Sequence, residues 1–252
     1  MTDVRYLDFA DGRRIAFRHR PGTGPAVVFL PGYMSDMGGT KATALWDWCA
    51  GQGRACLLLD YSGCGASSGD FAQGTLTRWC EEIVALVDHC GIDRLVLVGS
   101  SMGGWLMLIA AEALGARVAG LVGIAAAPDF TDWGRDPAQK AALMRGEVVL
   151  EDNPYGPEPT PMHPAFWSDG QARRQLDGPI AFDGPVRLIH GQADDDVPFA
   201  ISLRLAERLR SAEVAIHLVK AGDHRLSRPQ DIALILAEID RLLALIAEGH
   251  PQ

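Results

Sequence analysis

The chain has 252 residues, 48% hydrophobic and 22% charged, with a formal net charge of −9. A composition of this kind excludes a disordered or fibrous chain, and the length allows one sizeable buried core. The acidic balance excludes a nucleic-acid surface, and no apolar run reaches the roughly 20 residues that span a bilayer, so no stable membrane insertion is expected.

The N-terminal stretch MTDVRYLDFADGRR has no apolar core for secretion, and its acidic residues are unlike a transit peptide. A cytoplasmic location is the expectation that follows. Residues 4–9 and 14–20, split by Asp11-Gly12, predict a β-hairpin, because Asp-Gly favours a tight turn. PAVVFLPG (25–32) is an unbroken apolar run closed by Pro-Gly, as expected of a strand buried on both faces. KATALWDWCAGQG (41–53) then predicts a helix with a glycine stop.

The same alternation continues: strand ACLLLDYSG, helix TLTRWCEEIVALVDHCG, strand RLVLVGS, helix GGWLMLIAAEALG and strand VAGLVGIAAAP. Buried strands alternating with helices predict a mainly parallel sheet covered on both faces. The rhythm breaks from 128 to 184, where PYGPEPTPMHP (154–164) is proline-dense and short helical pieces, PAQKAALMRGE and AFWSDGQARRQL, flank it. At under 60 residues this segment has little core of its own, so it is expected to be an insertion in a single domain, lying over the site as a lid. Strand PVRLIHG, helix FAISLRLAERLR, strand VAIHLV and a final helix over 230–249 complete the pattern.

The five cysteines, Cys49, Cys56, Cys64, Cys80 and Cys90, are odd in number and contain no C-x-x-C. They predict reduced thiols rather than a disulfide framework or a zinc cage. With no clustered histidines either, no metal and no cofactor are expected.

The chemistry centres on LVLVGSSMGGWLML (95–108), a strand that turns into a helix. Only Gly99-Ser100-Ser101-Met102-Gly103 satisfies G-x-S-x-G, so Ser101 is the candidate nucleophile and Ser100 its neighbour on the bend. Serine needs a base to take its proton and a carboxylate to orient that base, in the chain order Ser, acid, His. His217 falls inside a predicted strand and His250 in the tail, whereas His224 sits in the polar loop KAGDHRLSRP before the last helix. His19, His89, His163 and His190 come too early and are read as surface or structural. The acid lies in HGQADDDVPF, which offers Asp194, Asp195 and Asp196. Backbone N–H groups of Met102, after the nucleophile, and Tyr33, after the strand at 25–32, are the candidate oxyanion donors.

With these residues in hand, the chain resembles the α/β-hydrolase superfamily over nearly its whole length. The likeness rests on LPGYMSDMGGTKA, DYSGCGASSG, GSSMGGWLML, HGQADDDVP and AGDHR. GSSMGGWLML and PGYMSDMGGTKA are most similar to the branch of mitochondrial palmitoyl-protein thioesterases and acyl-glucuronide esterases with their bacterial relatives. The resemblance implies an α/β-hydrolase fold with an eight-stranded sheet. Its frame H-G-x-x-D-x-x-V-P selects Asp194, giving Ser101, Asp194 and His224 as a triad. It implies an acyl ester or thioester as partner, either a small molecule or an S-acylated protein, and leaves oligomeric state open. Mitochondrial import is not carried over, for want of a presequence. Pro31-Gly32 stands where many hydrolases have His-Gly, which a main-chain donor at Tyr33 does not need.

Trp133, Met144, Phe166 and Trp167 in the 128–184 segment are candidates for an acyl-chain wall, against plain packing onto the sheet. Arg135, Arg145, Arg173 and Arg174 are candidates to meet a substrate carboxylate, against a solvated surface. A general short-chain carboxylesterase shares every catalytic residue. A catalytically silent ligand-binding protein of the same fold is the alternative from another class.

Overall fold

The computed structural model describes residues 4–249 apart from residue 155. The Asp-Gly turn joins β1 (Arg5–Asp8) to β2 (Arg14–Arg20) as the expected hairpin. β3 (Thr23–Leu30), α1 (Thr40–Gly51), β4 (Arg54–Leu59), α2 (Leu76–His89), β5 (Leu95–Ser100), α3 (Met102–Leu114) and β6 (Val118–Ile124) then alternate. Between β6 and β9 run α4 (Phe130–Trp133), α5 (Pro137–Met144), β7 (Val149–Glu151), β8 (Thr160–Met162) and α6 (Pro164–Ala172). β9 (Val186–Gly191), α7 (Ala200–Arg208), β10 (Val214–Val219) and α8 (Pro229–Glu248) finish the chain.

The main sheet has eight strands in the order β1-β2-β4-β3-β5-β6-β9-β10. It is parallel from β4 to β10, and β1 and β2 add an antiparallel edge. Because side chains alternate across a strand, each apolar run supplies both faces. Leu95 and Leu97 of β5 enter one core with Trp79 and Ile83 of α2 and Trp105 of α3. Val96 and Val98 enter the other, with Leu45 of α1 and Ile239 and Leu242 of α8. Residues Met102 to Ala111 of α3 are all buried, as its apolar sequence on every side requires.

Chain direction then decides where a ligand can sit. β3 pairs with β4 on one side and β5 on the other, Leu30 lying opposite Gly99. The connection after β4 therefore crosses back over β3, and the carboxyl ends of β3 and β5 diverge into separate loops. Such a switch point is where open α/β sheets leave a crevice.

The 128–184 segment is tied down at its stem. Asp129, 3% exposed, accepts hydrogen bonds from the N–H groups of Gln175 and Leu176, both at 2.8 Å. On α6, Asp169 accepts from the Thr77 N–H and hydroxyl at 2.9 and 2.6 Å. The indoles of Trp105 and Trp167 donate to the carbonyls of Arg173 and Thr131. All five cysteines are free, four of them buried. Among the described residues no helix is long and apolar enough to cross a membrane.

Candidate active site

Ser101 occupies the bend between β5 and α3 with φ 54° and ψ −119°. This is the backbone region that type II′ turns normally give to glycine, and a side chain there is strained. The bend is held by Ser101 N–H donating to Ile124 O at 2.9 Å, and by Gly104 N–H and Ala127 N–H donating to Ser101 O. Glycine is required on either side of it: a Cβ on Gly99 would lie 2.3 Å from Gly103 O, and one on Gly103 would lie 2.0 Å from Leu30 O.

His224, in the loop after β10, directs Nε2 at Ser101 Oγ across 3.1 Å and Nδ1 at Asp194 Oδ2 across 2.9 Å. Asp194 follows β9, whose partner in the sheet is β10. Gly191 lets the two loops touch, since a Cβ there would stand 2.2 Å from Gly222 O. The Asp194 side chain is fully buried. Its Oδ1 accepts from the N–H groups of Asp196 and Val197 at 3.0 and 2.8 Å. Burial opposes its charge, but hydrogen bonds from His190 and His224, together with the Val197 N–H, outweigh it. They hold the carboxyl well below the usual carboxylate range. Asp195 and Asp196 are both exposed.

The loop after β3 runs beside the serine; a Cβ on Gly32 would be 3.4 Å from Ser101 Cβ. Ser35 N–H donates to Gly32 O, closing a turn in which Met34 takes φ 56°. Among the described residues, neither the Tyr33 N–H at this turn nor the Met102 N–H at the start of α3 has an acceptor. Two free N–H groups beside a hydroxyl are what a developing oxyanion requires, and the second lies at the positive end of a helix dipole.

The Tyr33 side chain turns elsewhere. Its ring lies 4.9 Å from both Phe71 and Phe166, and its hydroxyl donates to Pro161 O at 2.8 Å. It thereby ties the loop after β3 to β8. Lys41, at the start of α1, donates to Arg225 O beside the histidine, and burial and the Arg225 charge push its ammonium down to about 8.

Ser101, His224, Tyr33 and Lys41 line a cleft of about 760 Å³, walled by Met34, Ala127, Phe130, Trp133 and Met162. Of the four candidates for an acyl wall, Trp133 borders it. Phe166, 1% exposed, belongs to the aromatic cluster beneath, and the Trp167 indole is engaged by Thr131 O. Met144 is 69% exposed, away from the cleft.

The arginines separate too. Arg145 pairs with Glu147 in solvent, and Arg174 with Asp132 and Asp177. Arg173 instead donates to Thr77 Oγ1. Arg135 is 93% buried in the cleft wall, paired with Glu151 at 2.7 Å, and its Nε has no partner. No sequence signal separated it from the other three. His190, read from sequence as surface or structural, is fully buried with Nε2 3.1 Å from Asp194 Oδ2. His250 lies outside the described residues.

Asp194, Asp196 and His224 bring one ligand atom each within 4.8 Å of one another. The Asp194 oxygens already accept from the Asp196 and Val197 N–H groups and from His224, with His190 Nε2 at 3.1 Å.

Comparison with known proteins agrees with the fold. Residues 25–197 match the family described as alpha/beta hydrolase fold. The human mitochondrial palmitoyl-protein thioesterase ABHD10 is 36% identical over 247 residues, 96% of this chain and 80% of that protein. A putative hydrolase from Agrobacterium vitis superposes with a TM-score of 0.90 at 40% identity, covering 96% of this chain and 98% of that one. Mouse alpha/beta hydrolase domain-containing protein 10 gives 0.90 at 34% identity, with 97% and 100% covered. The expected cytoplasmic location is corrected by these comparisons, because the curated mammalian relatives are named as mitochondrial. With its sheet order, its strand-to-helix bend and this similarity along nearly its full length, the chain belongs to the α/β-hydrolase fold family.

Proposed function

We propose that the protein is a serine hydrolase that deacylates thioesters or activated carboxylic esters through an acyl-enzyme. The observation that carries this reading is the unbroken chain Ser101 Oγ to His224 Nε2 to His224 Nδ1 to Asp194, at 3.1 and 2.9 Å. The Asp194 carboxylate fixes the proton on Nδ1, which leaves Nε2 free to accept from the serine. Ser101 attacks the acyl carbonyl as His224 takes its proton, and the oxyanion is held by the N–H groups of Tyr33 and Met102. The imidazolium gives that proton to the departing thiolate or alkoxide, and water, activated in turn by His224, releases the acid. The relatives named as palmitoyl-protein thioesterases support a thioester as substrate. Arg135 in the cleft wall is already paired with Glu151, so a glucuronate carboxylate would have to compete with that pair for its guanidinium.

The test compares kcat/KM on a palmitoyl-cysteine thioester, an acyl glucuronide and a short p-nitrophenyl ester. Preference for either of the first two supports the reading. Cleavage of the short ester alone would leave a general carboxylesterase, and absence of labelling by a serine-directed phosphonate would leave a silent binder.

The oxyanion donor at Tyr33 belongs to the main chain, so Tyr33→Phe should retain kcat within about fivefold. It should cost about 1 kcal/mol of stability, through loss of the hydroxyl bond to Pro161 O. A fall of kcat by 10²-fold or so, the usual effect of losing an oxyanion donor, would assign the phenol a direct part instead.

A further inference from the structure

His190 lies wholly inside the protein, beyond the reach of any substrate, yet it touches the acid of the proposed triad. Its Nε2 is 2.9 Å from Val197 O and 3.1 Å from Asp194 Oδ2. A carbonyl and a carboxylate only accept, so Nε2 must carry a proton whatever the charge of the ring. Nδ1 lies 2.6 Å from Ser202 Oγ on α7, and in the neutral ring it accepts the hydroxyl proton. The tautomer is therefore set from both sides.

We infer that His190 is a positioning residue: its Nε2–H pins Asp194 Oδ2 in line with His224, so that one carboxylate oxygen is shared between two imidazoles. This rests on the triad proposed above. The N–H groups of Asp196 and Val197 donate to Oδ1 and His224 to Oδ2, while His190 Nε2, its N–H shared with Val197 O, stands 3.1 Å from Oδ2. A carboxylate so held has no rotational freedom, and His224 inherits that fixed orientation. The second donor also draws charge from Oδ2 and moderates how strongly Asp194 stabilises the His224 imidazolium. Among the described residues, His224 and the exposed Asp196 bring a titratable atom within 4.8 Å of Asp194.

His190→Leu removes the donor at similar bulk, and His190→Gln places an amide N–H near the position of Nε2. With a p-nitrophenyl ester, His190→Leu is expected to lower kcat about 10- to 100-fold with KM changed less than about threefold. The acid limb of its kcat/KM profile should move up by about half a pH unit or more, because an undiluted carboxylate favours the protonated His224. His190→Gln should recover most of kcat and return the limb toward the native position. Equal losses in both variants, with the limb unmoved and only the melting temperature lowered, would overturn the inference and leave His190 as core packing.

The histidine ¹⁵N–¹H spectrum of the native full chain tests the geometry without any variant. His190 should appear as the Nε2–H tautomer, and an Nδ1–H tautomer would refute the assignment. A Ser101→Ala protein as active as native would sink the parent mechanism alone, since the tautomer reports on His190 independently.

Discussion

Replacing Ser101 by alanine should reduce kcat by about 10⁴- to 10⁶-fold, while replacing it by glycine should do the same and make the protein more stable. The first effect follows from removal of the oxygen that His224 Nε2, among the described residues, faces at hydrogen-bond distance. The second follows from the backbone. At φ 54° and ψ −119° a Cβ is strained, at a cost of about 1–3 kcal/mol, and alanine keeps that strain. Glycine relieves it and gives back about 0.5–1 kcal/mol through its freer unfolded chain. The net gain over native should be about 1 kcal/mol, or roughly 2–4 °C in melting temperature for a chain of this size. Calorimetry of the three proteins checks it. If the glycine variant melts below the alanine variant, the bend is not a store of strain.

Asp194→Asn should lower kcat by about 10⁴-fold, and the reason lies in which oxygen is already committed. Oδ1 accepts two backbone N–H groups, so the asparagine oxygen must take that place and its NH₂ must point where Oδ2 was. The amide then donates to His224 Nδ1, moving the imidazole proton onto Nε2, where it blocks acceptance from Ser101. The same NH₂ also meets His190 Nε2–H, donor against donor, leaving that proton to Val197 O alone. A stability loss of about 1–3 kcal/mol should accompany the kinetic one.

The pH dependence has a definite sign. The native carboxyl is held below its unfolded value of about 3.9, so its contribution to stability is complete above that pH. It is lost as pH falls further, toward the folded value. The asparagine variant should lack this acid-side component. Parallel acid titrations of native and variant, with equal losses below pH 4 or so, would refute the assignment.

Much of this arrangement could be read from the chain because the signals were local. The Asp-Gly turn, the apolar runs of β3 to β6 and the G-x-S-x-G bend each depend on residues within a few positions of one another. The segment from 128 to 184 was less legible. β7 and β8 are three residues each, too short to show alternation, and Pro161 stands inside β8. α4 is a single turn, set by Asp129 in a left-handed conformation. Side-chain chemistry alone also could not assign the aromatic and apolar residues there. Phe166 and Met144 read alike in sequence, but one fills the cluster around Tyr33 and the other lies in solvent. His190 is legible only as surface or structural for a related reason: nothing in HGQADDD says that a histidine four residues before an aspartate will fold back beside it.

The stem at Asp129 bears on how such a protein can diversify. One carboxylate gathers residues 129, 175 and 176, so the chain between them leaves and returns at nearly one point. Lengthening a loop whose ends are already joined costs little, about 0.6 kcal/mol for each doubling. Beyond the stem, the sheet side meets the excursion at a few named contacts, Tyr33 with Pro161 and Phe166, Thr77 with Asp169 and Trp105 with Arg173. Substitutions and insertions that spare those contacts can then be sampled over generations without disturbing the serine, histidine and aspartate beneath. The clamp separates the inheritance of a reaction from the inheritance of its substrate.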